Sequence, residues 1–221
     1  HHEIGRGIAL ALFRDETLGI DYSVEGASVK FTPGNWEWKA MGGRSRTLKV
    51  PVALIPFQSP LFEREIWLGS VSTKYRWKET QLGAHYILTL NRPDALGVFD
   101  KRWHTVGATF QADHFAPSWD AYAEAHVLVN ERLVPPLDRV PNGLGAYASV
   151  IYSPMPWKFK VEWKDYREYN YDFRRPPTLE EDIVTSLNFS NVTAARFWVE
   201  RRTGVYGLLR ASFLTGEDRT V

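Results

Sequence analysis

LGAYASVIYSPMPWKFKVEWKDYREYNY, Leu144 to Tyr171, is the stretch that decides the fold. From Trp157 to Lys164 its character changes at every residue. Trp157, Phe159, Val161 and Trp163 fall on one side of an extended chain, and Lys158, Lys160, Glu162 and Lys164 on the other, because side chains of a strand alternate with period two. Upstream, Ala146, Ala148, Val150 and Tyr152 repeat the apolar side, and Ser153-Pro-Met-Pro156 between the two runs is a tight reversal. Two long alternating strands therefore meet at a short turn with an aromatic residue beside it.

The same unit recurs along the chain. Tyr22 to Phe31 alternates toward a turn at Thr32-Pro-Gly-Asn35, followed by Trp36, Trp38, Ala40 and Gly42 on one face and Glu37 and Lys39 on the other. Glu65 to Lys78 places Trp67, Gly69, Val71, Thr73, Tyr75 and Trp77 outward, with Ser70, Ser72, Lys74 and Arg76 inward. Leu82 to Leu90, Arg102 to Asp113, Trp119 to Asn130, Ile183 to Phe189, Ala195 to Arg202 and Val205 to Leu214 supply further strands. Trp119 to Asn130 is rich in alanine, yet its apolar period is two rather than 3.6. Short turns centre near residues 34, 79, 117, 155 and 192, and between them lie longer connections rich in proline and charge: 44–62, 91–101, 131–143 and 171–181. Short turns at one end and long loops at the other are the layout of an outer-membrane barrel. About twelve strands result, each near the ~9–11 residues that a tilted strand needs to cross a bilayer.

Composition narrows the function classes. The 221 residues carry 27 Lys and Arg against 26 Asp and Glu, so no bulk basic field points to nucleic acid. No run reaches the ~18 apolar residues of a spanning helix, a test that strand-built membrane proteins escape because their strands alternate. Aromatics reach 14% with nine Trp, as suits rings at a bilayer interface. With no Cys, disulfides, thiolate metal sites and cysteine nucleophiles are excluded. The opening HHEIGRGIALALF has no basic n-region or cleavage site, so the numbering is expected to begin after cleavage or inside a longer protein.

On these repeats the chain resembles the bacterial outer-membrane β-barrel, porin-like proteins. The segment WKDYREYNYDFRRPPTLEED, Trp163 to Asp182, is similar to a strand and loop of large uncharacterised barrels of Gram-negative bacteria. The architectural likeness spans nearly the whole chain; the loop likeness spans this segment and carries no assigned activity. Barrels of this kind usually end on an aromatic residue, whereas this chain stops at Thr220-Val221. The expectation is one all-β domain over 1–221, an antiparallel up-and-down transmembrane β-barrel, incomplete at one or both ends.

Face assignment yields the candidate residues. Lys74, Arg76, His85, Asp113, Asp120, Glu124, His126, Lys158, Lys160, Glu162, Lys164, Arg196, Glu200 and Arg202 are expected to face the lumen. Their mixed signs predict a wet or cross-braced interior with no single-sign selectivity ring. Trp36, Trp38, Trp77, Trp119, Trp157 and Phe159 are expected to form a lipid-interface girdle beside the short turns. A register slip of one residue would put Lys158, Lys160 and Lys164 into lipid together, so register is strongly specified.

Site chemistry is sparse by comparison. His126 shares a face with Glu124, and His85 faces inward on another strand, yet no HExxH or similar spacing occurs, so ordinary lumen histidines are expected and no metal. No GxSxG elbow marks a nucleophile. Gly42-Gly43-Arg44-Ser-Arg46 lacks P-loop spacing, Glu180-Glu181-Asp182 fits a solvated acidic loop better than a Ca²⁺ site, and the two Asn-X-Ser/Thr matches at Asn188 and Asn191 are uninformative in a short turn. No catalytic residue, cofactor or enzyme activity is expected. The leading expectation is a bacterial outer-membrane barrel serving as a passive pore or as a scaffold for lipoprotein or other envelope partners, in contact with membrane lipid. The rival is a soluble β-sandwich that binds or cleaves polysaccharide with its Trp rows.

Overall fold

The computed structural model describes residues 2–4, 10–12, 14–15, 20–21, 24–45, 64–93, 101–133, 141–169, 191–203 and 207–218. The expected compact run at 5–13 and most of the four long connections lie wholly or partly outside them, as does the expected strand at 183–189. Four short strands come first: β1 (His2–Ile4) with β2 (Leu10–Leu12), and β3 (Arg14–Asp15) with β4 (Ile20–Asp21). The remaining ten are β5 (Glu25–Phe31), β6 (Trp36–Ser45), β7 (Arg64–Trp77), β8 (Thr80–Pro93), β9 (Lys101–Ala116), β10 (Trp119–Arg132), β11 (Gly143–Tyr152), β12 (Trp157–Arg167), β13 (Val192–Thr203) and β14 (Gly207–Asp218).

These ten form one sheet in which every strand pairs antiparallel with its neighbour in sequence, from β5 at one edge to β14 at the other. The architecture is all-β, antiparallel and up-and-down, as the alternation requires. It is one continuous layer over the described residues, not the two packed sheets of a sandwich. The main sheet holds ten strands among the described residues. The strands run longer than turn composition suggested: β8 carries Asn91 to Pro93, and β10 carries Glu131 and Arg132, residues assigned from sequence to loops.

Four described reversals share one end of the sheet, 32–35, 78–79, 117–118 and 153–156, and Thr203 of β13 pairs with Gly207 of β14 at the same end. Hydrogen bonds tie most of them to the next hairpin at the same level, from Arg76 N to Asn35 O, Asp113 N to Glu79 O, Ser153 N to Ser118 O and Arg202 N to Pro156 O, at 2.8–3.0 Å. The turn expected at Ser190 to Thr193 is not among them. Val192 and Thr193 open β13 at the opposite end, where Asn191 accepts a bond from Glu168 N at 2.6 Å and donates to the Glu168 carboxylate at 3.0 Å. Ser-Asn-Val-Thr has turn-like composition, but here its asparagine stitches the end of β12 to the start of β13.

Side-chain burial separates the two faces. The inner face is the one carrying Ile66, Leu68, Ile87, Tyr122, Leu128, Tyr147, Tyr166, Tyr169 and Ala194, which pack into one buried cluster with Val24, Met41, Trp103 and Val192 against it. The outer face carries the exposed rings and aliphatics, including Trp36, Trp67, Val71, Trp77, Leu82, Val106, Val127, Val161, Trp163 and Phe197. A single layer can bury only one face, so the inner face is where this fold builds its core.

Candidate functional site

The outer face is set by parity alone. Between its two rims it shows Ala27, Val29 and Phe31 on β5; Trp36 to Gly42 at alternate positions on β6; Trp67 to Trp77 on β7; and Leu82 to Leu90 on β8. His104 to Ala112, Ala121 to Val129, Leu144 to Tyr152, Trp157 to Trp163, Ala195 to Val199 and Leu209 to Thr215 continue it across β9 to β14. No Asp, Glu, Lys or Arg stands in this band among the described residues. Outer-face charges appear only at its ends. Glu25 is opposite Arg44 and Glu131 bonds Arg102, while Asp165 holds Arg167 at 2.8 Å and Thr193 at 2.6 Å. At the short-turn rim Arg201 lies 5.0 Å from the Trp157 ring.

The proposed girdle residues share that short-turn rim. Trp36 stacks on Trp38 and meets Tyr75; Trp119 stacks on Tyr152, which stacks on Phe159, which stacks on Trp157, at centroid distances of 4.5–6.2 Å. Trp77 is 62% exposed, with Lys78 over its ring. Trp67 and Trp163 stand farther along their strands, toward the long-connection end.

The inner face gathers the ionic side chains. Cross-strand register lines up Ser149, Glu162 and Arg196 on β11, β12 and β13. Glu162, 2% exposed, accepts bonds from Arg196 at 2.6 and 2.9 Å and from the Tyr147 hydroxyl at 2.7 Å, and pairs with Lys160 at 2.7 Å. One carboxylate thus meets two cations and a phenol, which offsets the desolvation of all of them. Lys164 is 1% exposed with its ammonium 5.9 Å from the Tyr166 ring.

Toward the short turns the inner face opens. Lys158 and Arg210 lie 5.3 and 5.2 Å from the Trp198 ring, and Arg210 reaches Glu200 at 3.2 Å. Asp120, Lys158, Glu200 and Arg202, with Ile151 and Trp157, line a recess of about 340 Å³. Asp113 accepts the Gln111 amide, and Asp120 accepts His114 N at 2.8 Å. His114 itself takes a positive φ of 53° where the pairing of β9 with β10 shifts register, a bulge that re-aims the strand end. Lys74 sits opposite Glu37, which bonds Lys30 at 2.8 Å and Lys39 at 3.1 Å; Arg76 is exposed near the turn.

The remaining candidates, His85, Glu124 and His126, come together on β8 and β10. Glu124 lies 3.0 Å from His126, and His126 lies 3.0 Å from His85. Rings stand between those charges on the inner face. Tyr122, Tyr147 and Tyr166 hold the same parity as the ionic rows, so alternation alone could have placed them inside. Tyr169, beyond the end of β12, has no such signal. Its ring covers Gly145, where a Cβ would come within 3.2 Å of it.

In comparisons with known proteins, no family model matches the chain, and no curated protein matches it. Among solved structures it is similar to OmpT (in-vitro folded), an outer membrane protein of Vibrio cholerae, with a TM-score of 0.48 and 14% sequence identity. The likeness covers 65% of this chain, and the chain spans 45% of the length of that one.

Proposed function

We propose that this sheet is wall of a transmembrane β-barrel in a bacterial outer membrane, in contact with lipid along its outer face. The observation that supports this best is the uncharged outer band, continuous over ten strands and bounded by aromatic rings and paired charges. In water such a band would far exceed the few hundred Å² of apolar patch that a soluble monomer tolerates. In hydrocarbon it is the favoured surface, and antiparallel pairing satisfies the backbone groups that lipid cannot.

Within that reading the barrel serves first as a membrane scaffold for its long connections and for envelope partners such as lipoproteins. Support comes from the inner face, where buried tyrosines and closed ion pairs fill space that a wide porin leaves to water. A passive pore is the second reading, favoured by the ion-lined recess at the short-turn end. Refolding the chain into detergent and into phospholipid vesicles tests both. Heat-modifiable electrophoretic migration and flotation with vesicles are expected; a folded monomer that stays soluble without detergent would overturn the membrane reading. In planar bilayers the scaffold gives no stepwise conductance, whereas a pore gives large steps of weak ion selectivity.

A further inference from the structure

The recess at the short-turn end of the inner face is lined by three successive rows of side chains. Asp120 stands opposite Ile151 in the row farthest from the turns. Lys158 and Glu200 face each other across β12 and β13 in the next row, and Arg202 follows two residues nearer the turns. With Ser153 and Trp157 they line about 340 Å³, at the low end of the ~300–1,000 Å³ of ligand clefts, so the space suits a small solute or a headgroup. The charges around it are not neutralised by one another. The Lys158 ammonium rests 5.3 Å from the Trp198 ring, and among the described residues neither Lys158 nor Arg202 has a carboxylate partner. Each carboxylate meets its protein partner through one oxygen only. Asp120 Oδ1 accepts the backbone N of His114 at 2.8 Å and lies 3.0 Å from its Nδ1, and Glu200 Oε2 accepts Arg210 at 3.2 Å. Asp120 Oδ2 and Glu200 Oε1 keep their lone pairs for another donor. At 29% and 13% side-chain exposure both carboxylates are partly shielded from water, which strengthens any charge they meet.

We propose that this recess binds a small amino-phosphate, a phosphate group and a primary ammonium on one short body, with Lys158 and Arg202 on the phosphate and Asp120 and Glu200 on the ammonium. Arg202 offers a planar fork to two phosphate oxygens, and Lys158 adds a point charge. An ammonium has three donors and no acceptor, which suits two carboxylate oxygens that lack a donor. A bare anion would leave both carboxylates opposing it, and a bare cation would leave Lys158 and Arg202 doing so. Lys158, Arg202 and the neighbouring Arg210 against Asp120 and Glu200, three cations against two carboxylates, leave one net positive charge. That surplus complements a phosphate monoester, at about −1.5 to −2 charges near neutral pH, offset by a single ammonium. The same pair of groups occurs in soluble phosphoethanolamine and in the headgroup of phosphatidylethanolamine. The site rests on the inner face and is independent of the choice between scaffold and pore.

The test uses the full chain refolded in an uncharged detergent, or in buffer should it prove soluble without one, so that failure of the membrane reading shows separately. O-Phosphoethanolamine is titrated by calorimetry and by its phosphorus-31 resonance. One molecule per chain is expected, with inorganic phosphate and ethanolamine each binding more weakly. Lys158→Gln and Arg202→Gln should each weaken O-phosphoethanolamine by roughly 10- to 100-fold and weaken inorganic phosphate with it. Asp120→Asn should weaken O-phosphoethanolamine while inorganic phosphate binds as well or better, a split that general loss of structure would not produce. Should a variant fail to show folded migration, the exposed Arg202 carries the comparison. Adding phosphatidylethanolamine to the micelles separates the sources: loss of the soluble compound's binding assigns the site to the lipid headgroup, and an unchanged titration assigns it to a free solute. Absence of saturable O-phosphoethanolamine binding in the parent would overturn the proposal. So would equal binding by the parent and both glutamine variants.

Discussion

Replacing Val161 by Lys asks directly what the outer face touches. Val161 is the centre of β12, 51% exposed, opposite Val150 on β11 and Phe197 on β13. It lies four residues from the girdle ring of Trp157, about 13 Å along a strand at ~3.3 Å per residue. With a tilt of roughly 40° that is about 10 Å of depth, close to the middle of a band ~25 Å tall. A lysine there costs about 2–4 kcal/mol if lipid covers the face, whereas near the interface the cost falls to about 0–1 kcal/mol. Thr203→Lys, on the same face of β13 at the short-turn end, is the matched rim variant. The central lysine should lower the folded-to-unfolded ratio by roughly 30- to 700-fold. On a water-facing sheet both substitutions would fall within about ±0.5 kcal/mol. The assay is reversible guanidinium unfolding of the chain in phospholipid vesicles, followed by tryptophan emission. Equal and small costs at Val161 and Thr203 would refute the assignment of the outer face to lipid.

In the same unfolding assay, Glu162→Ala should cost about 3–5 kcal/mol because it strands Arg196 in a buried row. Exchanging Glu162 and Arg196 together for Met should cost distinctly less, and an equal loss in single and double variants would deny the coupling. Gly107→Val should lose about 1–3 kcal/mol by overpacking; in the nuclear magnetic resonance spectrum it should move the imidazole signals of both His85 and His126, and signals that stay in place would deny that the two rings lie against Gly107. Asp165→Ala frees Thr193 and Arg167 at the join of β12 and β13 and should cost about 1–3 kcal/mol. Hydrogen exchange should rise first at Val192 to Ala194, and uniform exchange would contradict that placement.

Much of this protein was legible residue by residue because a strand assigns faces by parity. Trp157, Phe159, Val161 and Trp163 had to share a side, and their rings did not need neighbours to say so. The same rule put Lys160, Glu162 and Arg196 together on the opposite side. It failed where composition imitates a turn, as at Ser190 to Thr193, since asparagine serves equally to cap a reversal and to stitch two strand ends. It also undervalued the tyrosines, whose hydroxyls suggest a surface although Tyr147 and Tyr166 are 1% and 0% exposed.

By itself, then, the order of residues determined that the chain is built of long alternating strands, which of their sides is greasy, and at which end the tryptophans gather. These are local properties, fixed by the geometry of one extended strand. Tertiary structure alone decided which inner residues meet. Stagger between strands is set by turn lengths and by the bulge at His114, and it lets the imidazoles on either side of Gly107 meet and Arg196 reach Glu162. A pairing between residues tens of positions apart follows from the summed register of every hairpin between them, and no single stretch of sequence contains that sum.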